Sequence, residues 1–191
     1  MRRPLFPLHV ANARIQRHGA ALRELVRGLD GTGAAGPSAV AAHAGAAAVR
    51  FFDRRLAAHH AREEQFLFPA LLEAVAGSDG VCLRSIGAGL AAEHREIEMR
   101  WRALRAGLAS AEPASPPQAS AVEAFVALCE RHTACEGREL LPMAERLMSD
   151  DAIAGLERAL RHSLCRDRLA DSPNDALEPP RRSAQPGTRQ R

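Results

Sequence analysis

A spacing of four residue types that occurs twice is the feature that most constrains this chain of 191 residues. In each copy a Phe stands seven residues before a His, and a Glu and a Pro follow that His at four and ten residues. The two copies are Phe52, His59, Glu63 and Pro69, and Phe125, His132, Glu136 and Pro142. A pattern that recurs as a set indicates one structural unit used twice. Because residues four apart share a helix face, each copy predicts an imidazole and a carboxylate aimed in one direction.

A segment with a single histidine precedes each copy. His18 lies in RIQRHGAALRELVRGL and His94 lies in AAEHREIEMRWRALRAGL, and both segments carry apolar residues at helical spacing. The order predicts two helical hairpins, each with one His on its first helix and a His/Glu pair on its second. Donors that project inward from several helices are what a metal site in a helical bundle uses.

The predicted helices are separated by runs rich in Gly, Ser and Pro, and they cover about residues 8–29, 38–76, 81–109, 118–148 and 150–165. We therefore predict an all-α fold, an up-down-up-down antiparallel four-helix bundle with a short fifth helix. From Arg166 onward the chain is Pro-rich and polar with almost no apolar periodicity. This composition predicts a disordered C-terminal tail over residues 166–191, after a bundle domain over residues 1–165.

Pro69 and Pro142 fall inside the second and fourth predicted helices. A proline inside a helix removes one backbone hydrogen bond and kinks the helix. Two interpretations stay open at this point: a bend that closes the end of the bundle, or a weak last turn.

Composition excludes several classes of function. The formal net charge is only +3, all 26 basic residues are Arg, and no basic stripe indicates a nucleic-acid partner. No apolar run reaches the length of about 18 residues that a membrane span needs, and no signal-peptide core follows the basic start. The four cysteines form no C-x-x-C pair, which favours reduced thiols in a cytoplasmic protein. The oligomeric state is left unassigned.

The repeat nominates six metal ligands: His18, His59, Glu63, His94, His132 and Glu136. Four imidazoles and two carboxylates suit iron, manganese or zinc rather than calcium or magnesium. A single tetrahedral zinc needs only four ligands, so six donors on four helices predict two metal ions.

Two further residues are candidate ligands, each with an alternative role. Glu98 stands four residues after His94 on the same helix face, where a solvated ion pair is the alternative. His60 follows His59 directly, and its alternative is a place at the surface or around the metal ligands.

In the segments RHGAALREL, HHAREEQFLFPAL, EHREIE and HTACEGRELLPMA the chain resembles the hemerythrin-like, or HHE cation-binding, family. The resemblance implies a four-helix bundle around a non-haem di-iron centre, with two iron ions ahead of zinc or manganese. It implies that Glu63 and Glu136 bridge the irons and that the four histidines of the repeat are terminal ligands. Oxygen-carrying members have a second His four residues after the one on the third helix. Glu98 holds that position here, which argues against reversible oxygen carriage.

Three classes of function follow from these patterns. The first is a di-iron protein that binds, senses or scavenges a small oxidant (O2, peroxide or NO) or handles iron. The second is a peroxide-consuming di-iron enzyme, and the third is a metal-stabilised interaction or regulatory module without turnover. No general base or substrate pocket outside the ligands is visible in the sequence, which argues against a larger organic substrate. Whether the chain is an enzyme is left open.

Overall fold

Helices account for nearly all of the residues that the computed structural model describes, which are 4–30, 39–75, 78–109 and 116–170. Five helical runs follow one another, and these described ranges contain no strand. The runs are α1 (Phe6–Asp30), α2 (residues 39–73), α3 (Ser78–Ala109), α4 (residues 116–147) and α5 (Asp150–Ala170). The prediction of an all-helical fold with a fifth helix is confirmed. Of the predicted connections at residues 30–37, 77–80 and 110–117, the stretches 31–37, 77 and 110–115 lie outside the described residues. Residues 78–80 and 116–117 are helical instead and form the first turns of α3 and α4.

The fifth helix is longer than its sequence pattern indicated. The hydroxyl of Ser149 accepts a hydrogen bond from the Ala152 N–H at 3.2 Å and caps its first turn. The helix then continues through residues 166–170, so the prediction of disorder from Arg166 was wrong for that stretch. Asp167 forms an ion pair with Arg62 of α2, which ties this last part of α5 to the bundle. The remainder of the predicted tail, residues 171–191, lies outside the described residues.

Side-chain contacts show which helices are neighbours and in which direction they run. From the start of α1 to its end, its partners on α4 are met in descending order: His9 with Glu145, Asn12 with Glu136, Gln16 with Thr133, and Arg23 with Glu130 and Glu123. Between α2 and α3 the order also descends: Asp53 with Trp101, His60 with Glu98, and Glu64 with His94. These pairs of helices are antiparallel, as in a helical bundle.

Two apolar clusters fill the interior, and a polar layer separates them. On α2, Phe52 and Leu56 belong to one cluster, while Leu67 and Leu71 belong to the other. The same change of cluster occurs along α1, α3 and α4. Between the two clusters lie buried polar residues from all four helices: Asn12, His59, His60, Glu63, His94, His132 and Glu136. The layer is therefore closed off from solvent by apolar side chains on both sides.

π-helical turns begin at both glutamates of the repeated motif. They span Glu63–Leu67 and Glu136–Leu140, and a third spans Phe52–Leu56. The N–H of Phe68 bonds to the carbonyl of Glu63 five residues back, and Leu141 bonds to Glu136 in the same way. The wider turn accommodates the following proline, which has no N–H to donate, and the helices run on to Glu73 and Leu147. In the described part of the chain, no helix is long and apolar enough to span a membrane.

Candidate metal centre

The polar layer is built around two carboxylates that have no exposure to solvent. Glu63 and Glu136 are each 0% exposed, and the imidazoles of His59, His60, His94 and His132 are buried around them. Both glutamates stand on π-helical turns, where the local change of helical pitch accompanies the burial of their side chains. A buried carboxylate needs a counter-charge or hydrogen bonds to offset its lost hydration.

The imidazole Nε2 atoms point at the carboxylates. The Nε2 of His59 and that of His94 each lie 3.4 Å from an oxygen of Glu63. The Nε2 of His132 lies 2.8 Å from Oε1 of Glu136, and that of His94 lies 3.9 Å from the same oxygen. Glu63, His94, His132 and Glu136 each place one donor atom within 4.8 Å of the other three.

His60 joins the same cluster from the neighbouring position on α2. Its ring stacks on His94 with centroids 4.1 Å apart and planes 3° from parallel. One nitrogen each from His60, His94 and His132 forms a second group within 4.8 Å. The two groups share His94 and His132, so the donors form one continuous cluster.

Three glutamates hold three of these imidazoles from the outside. Each accepts a hydrogen bond from a histidine Nδ1 at 2.8 Å, in the pairs His60–Glu98, His94–Glu64 and His132–Glu93. A carboxylate can only accept, so the proton of each neutral imidazole lies on Nδ1 and the lone pair lies on Nε2. Metal-binding histidines are commonly oriented by such an outer carboxylate. The arrangement presents three Nε2 lone pairs to the interior.

Seven donor atoms at the centre are buried and make no hydrogen bond of regular geometry among the described residues, although they approach one another as imidazole–carboxylate pairs. They are Nε2 of His59, His60, His94 and His132, both oxygens of Glu63, and Oε1 of Glu136. Buried polar atoms in native proteins are nearly always hydrogen-bonded, so a convergent set without regular hydrogen bonds calls for a missing partner. Nitrogen and carboxylate donors in this number fit transition-metal cations. The residues present therefore fit the metal centre that the resemblance implies.

Helix α1 contributes Asn12 to the layer rather than His18. The amide of Asn12 donates to Oε2 of Glu136 at 2.8 Å, and its Oδ1 is buried without a partner. The ring of His18 instead stacks on Phe51 at 4.2 Å and is only part-buried. The structure thus brings five of the six predicted ligands together and leaves His18 outside the cluster. Whether His18 binds metal stays a prediction.

The two further candidates have different positions. His60, at 1% exposure, lies among the convergent imidazoles. Glu98 instead lies on the outer side of His60 and accepts from its Nδ1. Glu98 stands where oxygen-carrying hemerythrins have a second histidine. Here its carboxylate instead accepts a hydrogen bond from an imidazole of α2, that of His60.

A family comparison agrees with this geometry. The model of the hemerythrin HHE cation binding domain matches residues 8–144. The match covers more than half of the chain and every residue of the polar layer. The chain belongs to the hemerythrin HHE family. Comparisons with curated proteins and with solved structures found no match.

Burial and the contacts between imidazoles and carboxylates shift the pKa values of the His/Glu cluster. Burial disfavours the imidazolium of His94, but its contacts with Glu136 and Glu63 outweigh burial and raise its pKa to about 10. Burial alone would raise the pKa of Glu136, yet His132 and His94 bring it well below its usual range. Burial together with the neighbouring His94 lowers the pKa of His60, which stays a neutral donor. A metal cation would displace the protons and take over the counter-charge.

Sequence reasoning missed three residues that contribute to the candidate metal centre: Asn12, Glu64 as the hydrogen-bond acceptor for His94, and Glu93. A signal for Asn12 was present, because it interrupts an otherwise non-polar face of α1. That face consists of Leu8, Asn12, Ile15, Gly19, Leu22 and Val26, all of them buried. His18 lies beside this face. The glutamates stand next to ligand positions, but their partners are on other helices, and only the packing of the helices reveals them.

Proposed function

We propose that this chain is a non-haem di-iron protein that binds, senses or scavenges a small oxidant such as O2, peroxide or NO. The single observation that carries the proposal is the set of seven buried, convergent donor atoms that make no regular hydrogen bond and lie between two apolar clusters. A set of this size exceeds what one tetrahedral ion needs. Family membership supports a cation-binding role in general, the donor chemistry suits iron, manganese or zinc, and the resemblance to the hemerythrin-like family favours iron among them.

Each donor has a role in the proposal. Glu63 and Glu136 lie at the centre and would hold the ions through their carboxylates, and His59, His60, His94 and His132 would hold them through Nε2. Asn12 holds Glu136 in place through its amide hydrogen bond. Bound iron would supply redox chemistry and affinity for small oxidants. The chain's own residues exclude water, orient the imidazoles and carry the counter-charge of the ions.

The bundle topology and the compartment are part of the proposal. The antiparallel contacts between neighbouring helices support an up-down-up-down arrangement of α1 to α4. All four cysteines are free in the structure, which supports a reducing, cytoplasmic location. The cluster is buried from bulk solvent, and this supports a diatomic or peroxide ligand over a macromolecular partner.

The test is reconstitution of the metal-free protein with ferrous iron under anaerobic conditions. We expect about two irons per chain, following the donor count, and new near-ultraviolet and visible absorption bands after addition of O2, peroxide or NO. Retention of fewer than about 1.5 irons per chain, against the expected two, would argue against the proposal. The absence of a spectral response to all three oxidants would also argue against it.

The same samples separate the proposed function from its alternatives. Catalytic release of O2 from added peroxide would indicate a peroxide-consuming enzyme. Iron that raises the melting temperature without any oxidant response would indicate a metal-stabilised interaction module. His43→Ala is a suitable control because His43 is exposed on α2, away from the cluster.

A further inference from the structure

A cavity between α1, α2 and α5 reaches one of the proposed metal ligands. Its volume is about 300 Å³, at the lower end of the range typical of small-molecule sites. His59 forms part of its wall, while the other side of that imidazole faces Glu63. Much of the remaining wall is apolar, with Phe6, Val10, Ile15, Phe51 and Leu164. The cavity therefore offers an organic molecule a place beside the cluster.

The polar part of the wall is mainly cationic. Four arginines, Arg14, Arg55, Arg62 and Arg161, and one acid, Glu157, line the cavity. Arg161 is paired with Glu157 at 3.0 Å, and Arg62 is paired with Asp167 just outside the lining. Arginines therefore outnumber acids in the lining of the cavity. Such a wall favours an anionic group over a neutral or cationic one.

Arg62 provides a specific hydrogen-bond donor for a ligand in this cavity. Its side chain is 7% exposed, and its Nε–H is buried without a hydrogen-bond partner, although its Nη2 reaches Asp167. Leaving a buried charged donor unpaired costs free energy, and a carboxylate would satisfy it.

We propose that this cavity binds a small organic carboxylate, with the anionic head at Arg62 and the apolar body against Phe6, Val10 and Phe51. The ligand would occupy the His59 side of the cluster. Its relevance to chemistry at the metals rests on the function proposed above, but the cavity and its arginine are formed by protein side chains alone. Binding is therefore expected with and without metal.

Isothermal titration calorimetry of the full chain with octanoate tests the proposal, in metal-free and iron-loaded samples. Octan-1-ol serves as the probe without charge, and acetate as the probe without an apolar body. We expect saturable binding of one octanoate per chain and at least tenfold weaker binding of both other probes. No saturable octanoate binding, or equal binding of octanoate and octan-1-ol, would overturn the inference.

Variants place the binding in the cavity. We expect Arg62→Gln to weaken octanoate binding at least tenfold, equivalent to about 1.4 kcal/mol. Arg146→Gln removes the same charge from an exposed position on α4 and should leave binding unchanged. If Arg62→Gln does not fold, Val10→Phe fills the apolar end and should abolish binding. Unchanged octanoate affinity in the folded cavity variants would refute the site.

The outcomes for carboxylate and for iron are separable. If the chain retains iron and responds to oxidants but does not bind octanoate, only the carboxylate site is contradicted. A chain that binds octanoate through Arg62 but retains no iron contradicts the proposed function and leaves the carboxylate site standing.

Discussion

At the scale of single residues, the centre is organised by which nitrogen of each imidazole faces inward. Glu64, Glu93 and Glu98 each accept a hydrogen bond from the Nδ1–H of a histidine on another helix. This fixes the tautomer, directs Nε2 to the cluster and increases the basicity of the ring. The glutamates are more exposed than the imidazoles they hold, so they can be replaced without opening the core.

The first prediction concerns Glu93, which holds His132. Glu93→Gln keeps the shape of the side chain but removes the charged acceptor. We expect metal affinity to fall by about 10- to 100-fold, as for other outer-shell changes, measured by competition with a chelator. Glu96→Gln on the same helix breaks only an ion pair with Arg100 at the surface and is the matched control. Equal affinities of the two variants would show that Glu93 does not support the centre.

The second prediction decides between His60 and His18 as metal ligands. His60→Ala removes a buried Nε2 from the cluster, whereas His18→Ala removes a ring that stacks on Phe51. From the geometry we expect metal content per chain to drop in the first variant and to stay at the wild-type level in the second, measured by elemental analysis. Loss of metal in His18→Ala alone would restore the ligand set predicted from the sequence.

At the scale of helices, one glycine packs tightly against a neighbouring helix and another has open space around it. A Cβ built on Gly45 of α2 would lie 2.5 Å from Cδ2 and 2.9 Å from Cβ of Leu25, so α1 and α2 approach closely there. A Cβ on Gly89 of α3 would meet nothing within 4 Å. Close packing of α1 on α2 therefore depends on the missing side chain at Gly45.

The third prediction uses this contrast. We expect Gly45→Ala to lower the free energy of unfolding by about 1–3 kcal/mol through overpacking. Gly89→Ala should raise it by about 0.5–1 kcal/mol, because alanine favours the helix more than glycine. Urea denaturation of the metal-free proteins measures both. A stabilising Gly45→Ala would contradict the close helix approach.

The sequence predicted helices well because apolar periodicity and Gly/Pro breaks are local signals. It also identified His59, Glu63, His94, His132 and Glu136 as a set, since motif and repeat agree on them. It did not place His18, whose spacing fits the repeat although its side chain lies beside the buried face of α1. The roles of Glu93 and Glu98 depend on contacts between helices. The π-helical turns changed the register after Glu63 and Glu136, which a constant 3.6-residue period does not anticipate.

At the scale of the whole molecule, the polar layer interrupts one apolar interior and divides it into two clusters. Its carboxylates and imidazoles are costly to bury unless a cation pairs them. Folding and metal binding should therefore be linked, because metal ions that bind the native cluster more tightly than the unfolded chain stabilise the native state.

The fourth prediction follows from this linkage. Ferrous iron at 100 times its dissociation constant should stabilise the fold by about 2.7 kcal/mol for each independent site. The melting temperature, measured anaerobically by circular dichroism, should rise on loading and fall again with a chelator. The Glu63→Gln variant, which weakens the centre, should show a smaller rise. An unchanged melting temperature in the wild type would contradict the linkage.

The most direct test of the central claim is anomalous diffraction at the iron edge from crystals of the iron-loaded protein. We predict about two anomalous peaks, in line with the number of donors, both lying within the polar layer between Glu63 and Glu136. The peaks should be bordered by the Nε2 atoms of His94 and His132. Iron found only at surface sites, or a polar layer without anomalous density in fully loaded crystals, would contradict the account.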